Sequence, residues 1–165
     1  MRTAALAAMI GLTTVLAPLA DAQQNTKQPS RITVLPTHQA TLDDIQATLG
    51  MVPSFLRAFP ETALPGAWAT MKAVQMNPQS EIPAKNKELI GLAVAAQIPC
   101  QYCTYFHTQM AKLIGATEEE IKLALAEASL TRFMSTFVSG SNFEMAEFRK
   151  DIDRASQKFR QQATA

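Results

Sequence analysis

Glu88–His107, ELIGLAVAAQIPCQYCTYFH, gathers residue types that do chemistry together: a carboxylate, two thiols and an imidazole. The chain has only two cysteines and two histidines, so this stretch holds every thiol. Two thiols can open and close a disulfide. An imidazole changes its protonation near neutral pH and can move the protons that such a cycle releases.

Spacing predicts how these groups are placed. An apolar run from Leu89 to Ile98 carries Glu88 at its edge and stops at Pro99. If a new helix starts at Pro99 or Cys100, Cys100, Cys103 and His107 share one face at the helical period of about 100° per residue. Both thiols then lie in the first turn, where free backbone N–H groups and the helix dipole favour a thiolate. His107 follows Cys103 by one turn, close enough to exchange its proton. Glu88 has Gly91, Leu92 and Ala95 as same-face neighbours, so its carboxylate needs a polar partner, and the Cys/His cluster can be that partner.

Other readings stand beside this one. A Cys-x-x-Cys pair can be a structural disulfide, but in the chain-entropy model so short a loop gives only about 2 kcal/mol, against about 3 for a fifteen-residue loop. Zinc wants four ligands, and the remaining histidine, His38, falls in a distant loop-like segment. Haem attachment needs a histidine directly after the second cysteine, where Thr104 stands. A thioredoxin-like motif needs a strand–helix–strand frame that the pattern lacks. Taken singly, His107 reads as a packed core residue and Glu88 as a solvated helix-start acid; the case rests on the four together.

Glu88, then Cys100-Gln-Tyr-Cys103-Thr-Tyr-Phe-His107 after eleven intervening residues, resembles the active-site pattern of the alkylhydroperoxidase D group in the carboxymuconolactone decarboxylase-like superfamily. A looser likeness extends from about Met51 to Phe159. The resemblance implies an all-α, compact domain of about six to eight helices, usually a homo-oligomer, that reduces a hydroperoxide substrate and is reset by a thiol reductant. It implies that Cys103 attacks the peroxide, Cys100 resolves, and His107 and Glu88 relay protons. No cofactor and no metal is expected at the site. The chain departs from the pattern at Tyr102, where some members carry an additional histidine. The lactone decarboxylase branch typically lacks the cysteine pair. An exported thiol–disulfide oxidoreductase without a peroxide step, and a non-catalytic helical oligomer with a structural disulfide, are the rival classes.

The elements around the site follow from the rest of the chain. Met1–Ala22 reads as a signal peptide: Arg2, a small apolar stretch to Leu19, then Ala20-Asp-Ala22. Export, most simply to a bacterial periplasm, would place the cysteines in an oxidising compartment. About 143 residues remain, enough to bury roughly two-thirds of the unfolded surface. Removing Arg2 and Asp21 leaves the net charge at +1, which gives no footprint for nucleic acid.

Residues 23–40 read as a leader, polar to Ser30 with a short extended arm at Arg31–Leu35, ahead of a helical domain over 41–165. Thr41–Asp44 reads as a helix start with Gly50 as its stop. Pro53 opens a short helix ending before Pro60, and Pro65 falls in the first turn of one reaching about Met76. In it Trp68 suits a core or a subunit interface. A helix from Pro83 carries Glu88. After the cysteine helix, Gly115 gives a stop and Thr117–Glu120 a capping box. A further helical stretch is expected from about Arg132, interrupted at Ser139–Asn142, and another from Phe143 to Arg160. Met51, Met71, Met76, Met110, Met134 and Met145 read as gap-fillers in the core rather than copper ligands.

Overall fold

The computed structural model describes residues 32–163. The expected signal peptide and the polar leader to Ser30 therefore lie outside the described residues. The chain divides into two compact units, one ending at Asn142 and one whose described part begins at Phe143. In the first, α1 (His38–Leu49), α2 (Ser54–Arg57), α3 (Leu64–Val74), α4 (Ala84–Gln97), α5 (Gln101–Leu113) and α6 (Glu118–Gly140) follow one another. The second contains α7 (Met145–Ala163). No strand occurs among the described residues, so the fold is all-α, and Ile32–Leu35 joins no ladder.

Local chemistry sets the helix ends. Thr37, not Thr41, caps α1: its hydroxyl accepts the Ala40 N–H at 3.1 Å. Thr41 is buried inside the first turns and donates its own hydroxyl to the Thr37 carbonyl at 2.9 Å. The side chains of Thr41 and Asp44, which read as a cap, are spent on packing and on a contact with α3. His38 accordingly opens α1 instead of sitting in a loop. Gly50, at φ 75°, closes α1 through its N–H to the Gln46 carbonyl. Pro53 and Pro83 stand just before α2 and α4, and Pro65 lies in the first turn of α3. Thr117 and Glu120 form the reciprocal capping box expected of α6.

α6 is longer than the sequence pattern predicts. It runs unbroken through Thr131 and Arg132 to Gly140, 23 residues in all. Its polar residues do not break it, because they bond within the helix or to α4: Ser129 Oγ donates to the Leu125 carbonyl at 2.9 Å, and Arg132 Nε to Gln97 Oε1 at 2.6 Å. The break covers residues 141–144, with Asn142 at φ 50°.

Two apolar clusters form inside the first unit. Ile45, Leu56, Leu64 and Trp68 join α1, α2 and α3, with Met71 and Met76 packed at their edge. Leu92, Ala111 and Ile121 join α4, α5 and α6. Met51, Met134 and Met145 are exposed, so the gap-filling role holds for Met71 and Met76 but not for these three. Trp68 is a core residue whose Nε1–H donates to Asp44 Oδ2 at 2.6 Å. Lys72 Nζ reaches the same carboxylate at 2.8 Å. The two hydrogen bonds, Lys72 first and Trp68 second, hold the Asp44 carboxyl below its ordinary value.

Candidate active site

The buried stripe of α4 is Glu88, Leu92 and Ala95, spaced at four and then three residues. Leu92 and Ala95 take the helix into the core, so Glu88 is carried inward with them. Its side chain is only 9% exposed. A carboxylate at that depth needs hydrogen bonds to both oxygens, and it has them. Oε2 lies 2.7 Å from His107 Nδ1, and Oε1 accepts the Gln75 Nε2–H at 2.6 Å.

His107 comes from α5, one turn beyond Cys103, and its side chain is 19% exposed. The ring lies flat across Gly91 of α4. A Cβ built there would meet the ring's Nδ1 and Nε2 at 2.6 and 2.7 Å, closer than real Cβ atoms approach anything. The missing side chain at Gly91 is what lets the imidazole cross α4 and reach Glu88. Phe106 packs edge-on against the same ring at 5.1 Å between centroids.

Cys100 is the cap of α5, and its Sγ accepts the Cys103 N–H at 3.2 Å. Cysteine thus stands where serine or aspartate usually satisfies a helix's first amides, in the field of its positive end. The two sulfurs are joined as a disulfide, with Cα atoms 5.3 Å apart. The two cysteines, the imidazole and the carboxylate therefore lie on two consecutive helices that pack on each other, as their spacing predicts.

A cleft of about 820 Å³ opens beside them. Cys103 and His107 line it together, whereas Cys100 is not among its lining residues. Its walls are mostly apolar: Val74 from α3, Ile82 from the connection, and Ile90, Val94 and Ile98 along the outer side of α4. That outer stripe explains why the run Leu89–Ile98 is apolar all round, with one side facing the core and the other facing the cleft and solvent.

Tyr102 is 79% exposed and forms no hydrogen bond with Glu88 or His107. Sequence reasoning missed Gln75 and Gly91. Gly91 was visible as a small residue three positions from Glu88, but only the ring above it shows its purpose. Gln75 lies just past the end of α3 and carries no periodic signal at all. Among the described residues no three His, Cys, Asp or Glu side chains converge as a metal would need. No described helix is long and apolar enough to cross a membrane.

Comparison with known proteins adds an independent line. The Carboxymuconolactone decarboxylase family model matches residues 62–143, a span that contains Gln75, Glu88, Gly91, both cysteines and His107. The crystal structure of the alkylhydroperoxidase AhpD core from Rhodospirillum rubrum matches with a TM-score of 0.59 and 29% sequence identity, over 67% of this chain and 84% of that one. No curated protein sequence matches.

Proposed function

The chain belongs to the alkylhydroperoxidase D-like group of the carboxymuconolactone decarboxylase-like superfamily, and from that premise we propose that it is a thiol-dependent hydroperoxidase. The observation that carries this reading is the pairing in one cleft of Cys103 with an imidazole whose Nδ1 is held by a buried carboxylate.

In the reduced pair, His107 takes the Cys103 thiol proton while Glu88 offsets the charge on the ring. The Cys103 thiolate attacks the terminal peroxide oxygen and the O–O bond breaks. Cys103 becomes a sulfenic acid, and the leaving alkoxide takes the proton from His107 to depart as an alcohol. The Cys100 thiol then displaces water from the sulfenic acid and forms the Cys100–Cys103 disulfide. Two equivalents of an external thiol return the pair to its reduced form and leave as a disulfide. Electrons balance: the peroxide gains two, the cysteines lose two, and the donor restores them.

The apolar walls and size of the cleft suit an organic hydroperoxide with a hydrocarbon tail. With the exported location that Met1–Ala22 suggests, the reductant is a thiol available outside the cytosol. We assign self-association to the exposed apolar face of α6, where Leu123, Leu130 and Phe137 recur at seven-residue spacing beside Phe133 and Met134.

The test is stoichiometric. Pre-reduced protein, freed of reductant, should consume one equivalent of cumene hydroperoxide per subunit, and Cys103→Ser should consume none. If Cys103→Ser consumes peroxide as the parent does, the reading is wrong. If neither consumes it but the parent exchanges disulfides with a small dithiol, the oxidoreductase class replaces it.

A further inference from the structure

We propose that Gln75 is a positioning residue that fixes the direction of proton movement in the site, an inference that rests on the hydroperoxidase reading and deepens it. Gln75 ties the end of α3 to α4. It stands at the C-cap of α3 and reaches into α4 to give its Nε2–H to Glu88 Oε1 at 2.6 Å. Lys87 strengthens the same junction by donating to the carbonyls of Val74 and Asn77 at 3.2 and 3.3 Å.

The chemistry follows from what each atom can do. A side-chain amide N–H only donates, so Oε1 must accept and carries no proton. That leaves Oε2 to face His107 Nδ1 at 2.7 Å. A carboxylate accepting there selects the imidazole form that bears its hydrogen on Nδ1. Free histidine favours the other form. The lone pair is thereby left on Nε2, the only ring nitrogen not engaged by Glu88, on a side chain that lines the cleft with Cys103.

Without Gln75, Oε1 would be a buried oxygen with no partner, and the carboxyl group could rotate or take up a proton on that side. Rotation releases Nδ1, and protonation on Oε1 leaves Oε2 a weaker acceptor for it; both let the ring revert toward the Nε2–H form, whose Nε2 cannot accept the thiol proton. Gln75 thus acts on the reaction through Glu88 and His107, without touching the sulfur itself.

The ring nitrogens can be read directly by 15N NMR of the full chain, which has only two histidines, His38 and His107. In the parent protein the neutral His107 ring should show its hydrogen on Nδ1. In Gln75→Met, which fills the same space without a donor, the signal should move toward the Nε2–H form. The first-turnover rate with cumene hydroperoxide should fall about ten-fold, as expected for one lost hydrogen bond to a charged group. Gln75→Asn, whose amide is too short to reach, should behave like Gln75→Met and serves if the latter does not fold. A Gln75→Met or Gln75→Asn protein with the parent ring form and parent rate overturns the inference, as does an Nε2–H ring in the parent. A parent that consumes no peroxide defeats the hydroperoxidase reading alone, because the ring form still decides the role of Gln75.

Discussion

At the scale of single residues, the site depends on one absent side chain as much as on those present. Gly91 is helical and could be alanine as far as α4 is concerned; alanine would even favour the helix by up to about 1 kcal/mol. Its Cβ would, however, collide with the His107 ring. Gly91→Ala should therefore cut peroxide turnover by about a hundred-fold, the loss expected when a catalytic group is misplaced by an ångström or so, and should lower Tm, because losing the His107–Glu88 contact outweighs the gain in helix propensity. Steady-state turnover beside a thermal melt reads both. Asp44 gives a prediction of another kind. Its carboxyl is held below the ordinary value of 3.8 by Lys72 and Trp68, so the folded state binds fewer protons than the unfolded one just below that value. Its contribution is complete above the ordinary value and is lost as the pH falls through the lower, folded one. Asp44→Asn should be less stable than the parent near pH 6, and the gap in urea midpoint should narrow as the pH falls below 3.8.

At the scale of elements, helical period made the core of the site legible. Glu88 and Leu92 on α4, and Cys100, Cys103 and His107 at the start of α5, need only one angle per residue to be placed. Gln75 escaped because it enters through a turn, between helices whose relative placement no periodic pattern records. The start of α1 was misread for a related reason: Thr41 looks like a cap, but burial claims it, and the less conspicuous Thr37 does the capping. The unbroken course of α6 was hidden because serine and threonine weaken a helix in isolation yet are accommodated here by bonds such as Ser129 to Leu125. The doubly apolar character of α4 was visible, though not which side did what. Its outer stripe now makes a specific expectation. Val94→Asp, on the cleft wall, should raise KM for cumene hydroperoxide at least ten-fold while changing the rate with hydrogen peroxide little, since only the former has a tail to desolvate. Equal losses with both substrates would place the substrate elsewhere.

At the scale of the whole molecule, exposed apolar residues recur regularly along α6. Leu123, Leu130 and Phe137 lie one above another with Phe133 alongside, all exposed, and exposed aromatic patches of this kind mark association surfaces. A second copy of the chain is the proposed occupant. Phe133→Glu combined with Phe137→Glu should lower the mass measured by light scattering to that of a single chain, and an unchanged mass would remove α6 from the interface. The central claim is narrower than the assembly: that Cys103 meets the peroxide and Cys100 resolves the product. Intact mass spectrometry of reduced Cys100→Ser after one equivalent of cumene hydroperoxide tests it most directly. Trapping at Cys103 as a sulfenic acid, a gain of one oxygen that a dimedone adduct locates on that residue, is the predicted result. A Cys100→Ser protein that stays unoxidised, while reduced Cys103→Ser gains the oxygen at Cys100, would contradict the account.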